Sequence, residues 1–343
     1  MPYLSSKKEL GREYVTADEP AIIAAMVQQM KDQLNRLYEG KKMLRQIHTK
    51  MHGCVKASFI IEPELDDMFK VGLFKDVGTY PAWVRFSNSN TVPKPDKKKD
   101  IRGIGIKIMG VPGEKILNAR HLELTQDFLL MSSETFFSKN LKQFSGTLKA
   151  STAKSKLKLL LYFLNPMHWR LAKRLIKSFI VCTNPLGIPY WSTQPYQFGS
   201  QSTAVKYFLQ PSPDNNLSTP ETTNENYLRL NLATTLAHNE ATFDFCVQIQ
   251  TDADAMPIED PTVPWTSPFI KLATIKIPPQ DFDSPAQIEF GENLNFNSWH
   301  SLPAHRPLGS FNRARKIIYD TMSNFRHSKN QLPVFEPKNT EGF

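Results

Sequence analysis

Arg315-Lys316-Ile317-Ile318-Tyr319-Asp320-Thr321-Met322-Ser323-Asn324-Phe325-Arg326 reads as a helix with a phenol between two guanidiniums. At about 100° per residue, Arg315 and Arg326 fall roughly 40° and 20° from Tyr319 around the axis, on one side of it. Arg315 lies one turn before the tyrosine and within reach of its oxygen, whereas Arg326 lies about 10 Å further along. A permanently charged neighbour favours the phenolate over the phenol, and phenolate oxygen is a competent axial ligand for ferric haem. The more distant arginine could then hold a haem propionate. On this spacing alone, an exposed helix end with scattered basic residues is the plain alternative.

Three earlier fragments bear on that choice. In Arg45-Gln46-Ile47-His48 an imidazole follows a guanidinium by three residues, with an apolar side chain directly before it. In Val84-Arg85-Phe86-Ser87 a strand-like segment offers another guanidinium and a hydroxyl. Asp100-Ile101-Arg102-Gly103-Ile104-Gly105-Ile106-Lys107 alternates like a strand; it lacks the GxGxxG spacing and no helix pattern opens behind it, so it is not a dinucleotide loop.

Taken in order, these motifs resemble the haem catalase superfamily. Its pattern has a distal Arg-x-x-His, an Arg-Phe-Ser strand, an Asp-x-Arg-Gly-x-x-x-Lys strand and a proximal Arg-x-x-x-Tyr with an arginine seven residues further on. The run Trp299–Arg313 resembles the short, mini-catalase-like subfamily. The resemblance covers roughly His48 to Arg326. It implies an α+β fold: a catalase-like antiparallel β-barrel with flanking helices in a single domain. Residues 1–44 would form a helical arm, 45–300 the barrel with a helical insertion over 150–180, and 301–343 the Tyr319 helix and tail.

Carried over residue by residue, the resemblance implies haem b with Tyr319 as the ligand of a ferric iron and Arg315 holding it as phenolate. Arg45, Arg85 and Arg326 would bind propionates, Ile47 and one of Phe136 and Phe137 would touch the porphyrin, and His48 would be the distal acid and base with Ser87 behind it. The large enzymes of the family carry a distal asparagine after the Arg-Gly strand; here that region is Leu124-Thr125-Gln126-Asp127-Phe128, so Thr125 or Gln126 is the candidate replacement. Apolar Ile47 stands where catalase-related allene oxide synthases place threonine, which favours redox turnover over isomerisation. The long C-terminal helical region of the large enzymes, with its nicotinamide-binding surface, is expected to be missing. The implied function is a hydroperoxidase acting on hydrogen peroxide or organic, fatty-acid hydroperoxides. A hydroperoxide isomerase or lyase, and a haem-binding protein without turnover, are the alternatives.

Composition sets the outer bounds. The chain has 343 residues, 40% of them hydrophobic, enough for a sizeable core. The apolar run Leu157–Leu164 is far below the roughly 20 residues that span a bilayer. The polar start MPYLSSKKELGREY lacks a secretory core, so the expected location is cytoplasmic. Cys54, Cys182 and Cys246 form no CxxC pair and read as buried small residues. The net charge of +9 comes from a window without acids between Glu134 and Asp214, and with no nucleic-acid motif it does not imply a nucleic-acid partner.

Periodicity predicts a helix from Glu19 ending at Gly40, strands from Ala57 to Lys107, and an interrupted helical segment over 155–179. That segment could lie on a membrane or lipid surface; the reading preferred here is a helix packing one face on the core and solvating its lysines. TAVKYFLQ, NYLRLNLATTL, TFDFCVQIQ and FIKLATIKI read as further strands. A homo-oligomer is expected. His48 and His52 are four apart, but Thr49 stands where a zincin needs glutamate, and no GxSxG elbow supports a serine hydrolase.

Overall fold

The structure, a computed structural model, describes residues 8–117 and 123–341, without the side chain of residue 156. Its chain order is α1 (Glu19–Leu37), β1 (Lys50–Ile61), β2 (Thr79–Asn88), β3 (Arg102–Met109), β4 (Thr125–Met131), α2 (Leu141–Ser151), α3 (Lys156–Leu164) and α4 (Trp169–Ser178). There follow β5 (Tyr190–Trp191), β6 (Tyr196–Phe198), β7 (Ser200–Pro211), α5 (Tyr227–Leu236), β8 (Ala241–Ile249), β9 (Phe269–Ile277), α6 (Pro285–Asn293) and α7 (Ser310–Asn330). Strands β1-β2-β3-β4-β5-β7-β8-β9 pair antiparallel in that order, and β9 returns to β1, closing an eight-strand barrel with β6 attached to β7.

Alternation along each strand decides what lies inside. Val84 and Phe86, Ile104, Ile106 and Ile108, Phe128, and Phe243 and Phe245 point into one apolar core. The Phe245 ring lies 4.9–5.2 Å, centroid to centroid, from Phe59, Phe128 and Tyr207. The barrel interior is therefore packed solid, and a ligand must be held on its outer wall. A second core lies there: Ile23, Met26, Met30 and Leu34 of α1 pack on Leu141 and Leu148 of α2 and on Phe311, Ala314, Ile318 and Met322 of α7.

Three expectations are corrected. NYLRLNLATTL is helix α5: Tyr227, Leu228, Asn231, Leu232, Thr235 and Leu236 are buried at helical spacing, and the leucines at 228, 230 and 232 only imitate a period of two. The helical insertion begins at Leu141 with α2 rather than near 150. Within it, Leu157, Leu160, Leu161 and Leu164 of α3 face solvent instead of the core. The three cysteines are buried, as expected from their spacing.

Buried histidines give the fold a pH dependence, which His52 and His305, both outside the cavity wall, illustrate. Burial pushes His52 down to about 4 and His305 down to about 3. Below the ordinary value near 6.5 the unfolded chain takes up protons that these rings refuse, so stability falls as the pH falls from about 6.5 towards 4. His300, held above its ordinary value by Glu123 and Glu336 against the opposing effect of burial, works the other way, but its gain is complete by about pH 6.5. Each of the two buried rings contributes a slope of roughly 1.4 kcal/mol per pH unit. Calorimetric melting between pH 7 and about 5 should show a steadily falling midpoint; a level profile would contradict this account.

Candidate functional site

A cavity of about 510 Å³ lies between the outer face of β2–β4 and helices α1, α2 and α7. Its wall contains Arg45, Ile47, His48, Arg85, Ser87, Phe136, Phe137, Arg315, Tyr319 and Arg326. All but two of the site residues named from the sequence thus share one space.

The barrel register makes the room. Arg85 and Ser87, two apart on β2, project outward opposite Gly105 and Gly103 of β3, which are in turn opposite Leu129 and Met131 of β4. Glycine at those two positions leaves the wall open. A Cβ on Gly103 would come within 2.2 Å of the His48 ring and one on Gly105 within 3.1 Å of Phe296. His48 itself has φ +58°, a left-handed conformation that a side chain adopts at a cost, and its amide is tied to the Ser89 carbonyl at 3.3 Å. The turn places Nδ1 3.0 Å from Ser87 Oγ. Burial, then the charges of Arg85, Arg45 and Arg315, pushes His48 down to about 3, so the ring is neutral across the physiological range.

At one side of the cavity the guanidiniums of Arg45, Arg85 and Arg326 gather on the end of α6. Arg85 donates to Glu292 Oε1 at 3.1 Å and to the Gly291 carbonyl at 3.3 Å; Arg326 donates to the Glu292 carbonyl at 2.7 Å. Arg45 donates to the carbonyls of Gly291, Glu292 and Leu294. These are the carbonyls a helix leaves without intrahelical partners, at its negative end. Charge is nevertheless out of balance: three guanidiniums face one carboxylate, leaving two positive charges. Burial and mutual repulsion push Arg45 well down, and burial pushes Arg326 down to about 10. Arg45 Nε and Glu292 Oε2 are buried without a hydrogen-bond partner. Glu292, unlike the arginines, carries no motif; only the need of clustered cations for a counter-charge could have pointed to it.

Helix α7 brings Tyr319 to the opposite wall. Its first turn is held by carboxylates: Glu13 accepts from the Gly309 amide and Glu259 from the Ser310 amide, both at 2.8 Å, where acids complement the helix dipole. Arg313 pins the same turn through Glu13, Glu19 and Glu259. The Arg315 guanidinium donates to Asn312 Oδ1 at 3.1 Å, and Asn312 is in turn fixed through the Pro195 and Leu308 carbonyls. The arginine expected to reach the Tyr319 oxygen is thus held by Asn312, and Arg315 and Tyr319 both line the cavity. Phe136 and Phe137 stack on each other at 4.4 Å, and both line it.

Thr125 and Gln126 lie elsewhere. Thr125 Oγ1 bonds to His300 and donates to Glu336 at 2.9 Å, while Gln126 Oε1 accepts from the Leu302 amide at 2.9 Å. The reason is the strand register: Thr125 and Asp127 face outward beside Lys107, at the far end of β4 from Leu129 and Met131. Lys107 is buried between Asp127 and Glu336 there, and its charge holds Glu336 down at about 2. These two residues are not part of the cavity wall. An amide that the sequence reading missed, Asn295, does line the cavity directly after α6. His52 is turned away, bonded to Asn88 Oδ1 at 2.8 Å.

The residues present fit a haem. The excess of two buried positive charges, with an unpartnered Arg45 Nε among them, calls for a dianionic group, which the two propionates of a porphyrin supply. Most of the remaining wall, with Met26, Met30, Leu129, Phe136, Leu148 and Met322, is apolar, as a porphyrin face requires.

A closed antiparallel barrel with a solid interior, and a cavity between its outer wall and a tyrosine-bearing helix, defines the class of architecture. In particular, the chain has a catalase-like fold. It superposes on catalase A from Saccharomyces cerevisiae with a TM-score of 0.68 over 97% of this chain and 70% of that one, at 15% identity. A fungal catalase matches with a TM-score of 0.68 at 17% identity, and a bacterial catalase with 0.62 at 15%, each over 100% of this chain and 70% of the other. No protein-family model matches the sequence, and no curated protein matches it.

Proposed function

We propose that this protein is a haem-dependent hydroperoxidase acting on hydrogen peroxide or on an organic hydroperoxide. The observation that carries the reading is a neutral, Ser87-anchored imidazole at His48 in the same cavity as Tyr319 and an undercompensated arginine cluster. Tyr319 would hold the iron, and Arg45, Arg85 and Arg326 the propionates. When bound, haem supplies a ferric centre that receives the peroxide and furnishes the electrons for O–O cleavage.

The protein's own part is proton movement. With Nδ1–H donated to Ser87 Oγ, His48 Nε2 is the accepting nitrogen of the ring and would take a proton from a hydroperoxide held in the cavity. The same nitrogen then returns it to the departing oxygen, so that water or an alcohol leaves. Neutrality is what this requires, because an imidazolium could not take the first proton. Leu129 and Met131, opposite the glycines of β3, keep that part of the wall dry.

The test is spectroscopic. Apoprotein titrated with haemin should saturate at one haem per chain, and hydrogen peroxide or a fatty-acid hydroperoxide, added separately, should be consumed with a transient change in the absorption spectrum. Oxygen release marks dismutation, and formation of the alcohol with oxidation of an added donor marks a peroxidase. A rearranged fatty-acid product would mark an isomerase, and failure to take up haemin would sink the proposal.

A further inference from the structure

The hairpin of α3 and α4 exposes apolar surface that nothing in the described chain covers. Leu157, Leu160, Leu161 and Leu164, at the i, i+3, i+4, i+7 spacing of a helix stripe, are 56–60% exposed. Met167 at the bend and Trp169 and Ile176 of α4 continue the patch at 61–82% exposed. The opposite side of the hairpin is anchored. Leu171 is fully buried, Arg174 Nε donates to the Phe137 carbonyl at 2.9 Å, and the Tyr162 hydroxyl lies 3.3 Å from Thr147 Oγ1. The stripe therefore points outward from a fixed base.

Charge decides what covers it. Lys154, Lys158, Arg170, Lys173 and Lys177 are exposed on the same hairpin, and no acidic residue lies between Glu134 and Asp214. A second copy of this chain meeting the patch across a two-fold axis would set the basic side chains against one another. An anionic bilayer answers both features: leucines and the tryptophan enter the acyl boundary while lysines and arginine meet the headgroups. Among the described residues no helix is long and apolar enough to cross a membrane, so contact would be at the surface.

We propose that residues 156–178 dock the protein on an anionic lipid surface. The consequence for the cavity is geometric: Leu175 of α4 and Thr147 and Leu148 of α2 belong to its wall, so docking sets that side of the cavity against the bilayer.

The experiment is vesicle flotation of the full chain, haem-free and haem-loaded. Vesicles are phosphatidylcholine alone or an equimolar mixture with phosphatidylglycerol. Binding should be at least about tenfold stronger to the mixed vesicles and should be lost in molar salt. Leu160→Ser with Leu161→Ser, and separately Lys173→Glu with Lys177→Glu, should each weaken it by about tenfold or more at unchanged melting temperature. No binding, or equal binding to neutral and anionic vesicles, overturns the proposal. So does a self-association that the leucine substitutions abolish in the absence of any vesicle binding. Because haem-free protein is tested as well, failure here is separate from failure of the hydroperoxidase reading.

Discussion

Tyr319→Phe is expected to abolish haem retention while leaving the fold in place. Phenylalanine preserves the ring on α7 and its packing beside Ile318 and Met322, so the melting temperature should move by no more than about 1 kcal/mol would produce. What disappears is the oxygen that would ligate the iron. Removing a group that merely supports a metal ligand costs about 10–100-fold in affinity, so loss of the ligand itself should exceed roughly a hundredfold. Haemin titration of the purified variant, followed by gel filtration, reads the effect. A variant that keeps wild-type haem content and spectrum would show that the tyrosine is a helix residue near a cavity and nothing more.

His48→Ala should separate chemistry from binding. The imidazole is assigned no contact with the cofactor's anchoring groups, so haem content should stay at one per chain while peroxide consumption falls by about 10²–10⁴, the usual worth of a positioned proton-transfer group. Ser87→Ala should give a smaller loss in the same direction, because the ring keeps its place between β2 and Gly103 but loses its hydrogen bond. The pH dependence follows from the environment of His48. Burial, the largest cause, holds the ring below its ordinary value, so the neutral base is present across the neutral range and the rate should decline only in acid. Acid unfolding driven by His52 and His305 intervenes before that decline, so the profile must be taken from initial rates after brief exposure. A rate that instead rises in proportion to hydroxide across pH 6–8 would mean that some other group carries the proton.

The arginine cluster shows why haem binding and apoprotein stability are linked. Glu292 is the one carboxylate among three guanidiniums, and helix carbonyls supply the rest of the compensation. Such an arrangement is poised rather than satisfied: a dianion completes the charge balance and should raise the melting temperature on binding.

Much of this was written in local sequence. Strand alternation and helix periodicity depend on neighbours within a few residues, so β2, β3, α1 and the two helices about Asn165-Pro166 were legible directly, as was the order of the Arg45/His48, Arg85/Ser87 and Arg315/Tyr319 motifs. Local signals also misled where two periods coincide, as in Tyr227–Leu236, whose leucines alternate although its buried set is helical. Other features depend on partners hundreds of residues away. Glu292 belongs to the site because α6 packs on β1 and its end meets the Arg85 side chain; Thr125 falls outside it because the β3–β4 register sets it at the Lys107 and His300 end, and Gln126, on the other face of β4, bonds to Leu302. The outward direction of the α3 leucines is equally a tertiary fact, since a stripe reads the same whether it meets a core or solvent. Residue types and their periodicity specified the barrel strands, the helices and the chemical groups on offer. Strand register and helix docking, set by long-range packing, determined which of those groups meet in one cavity.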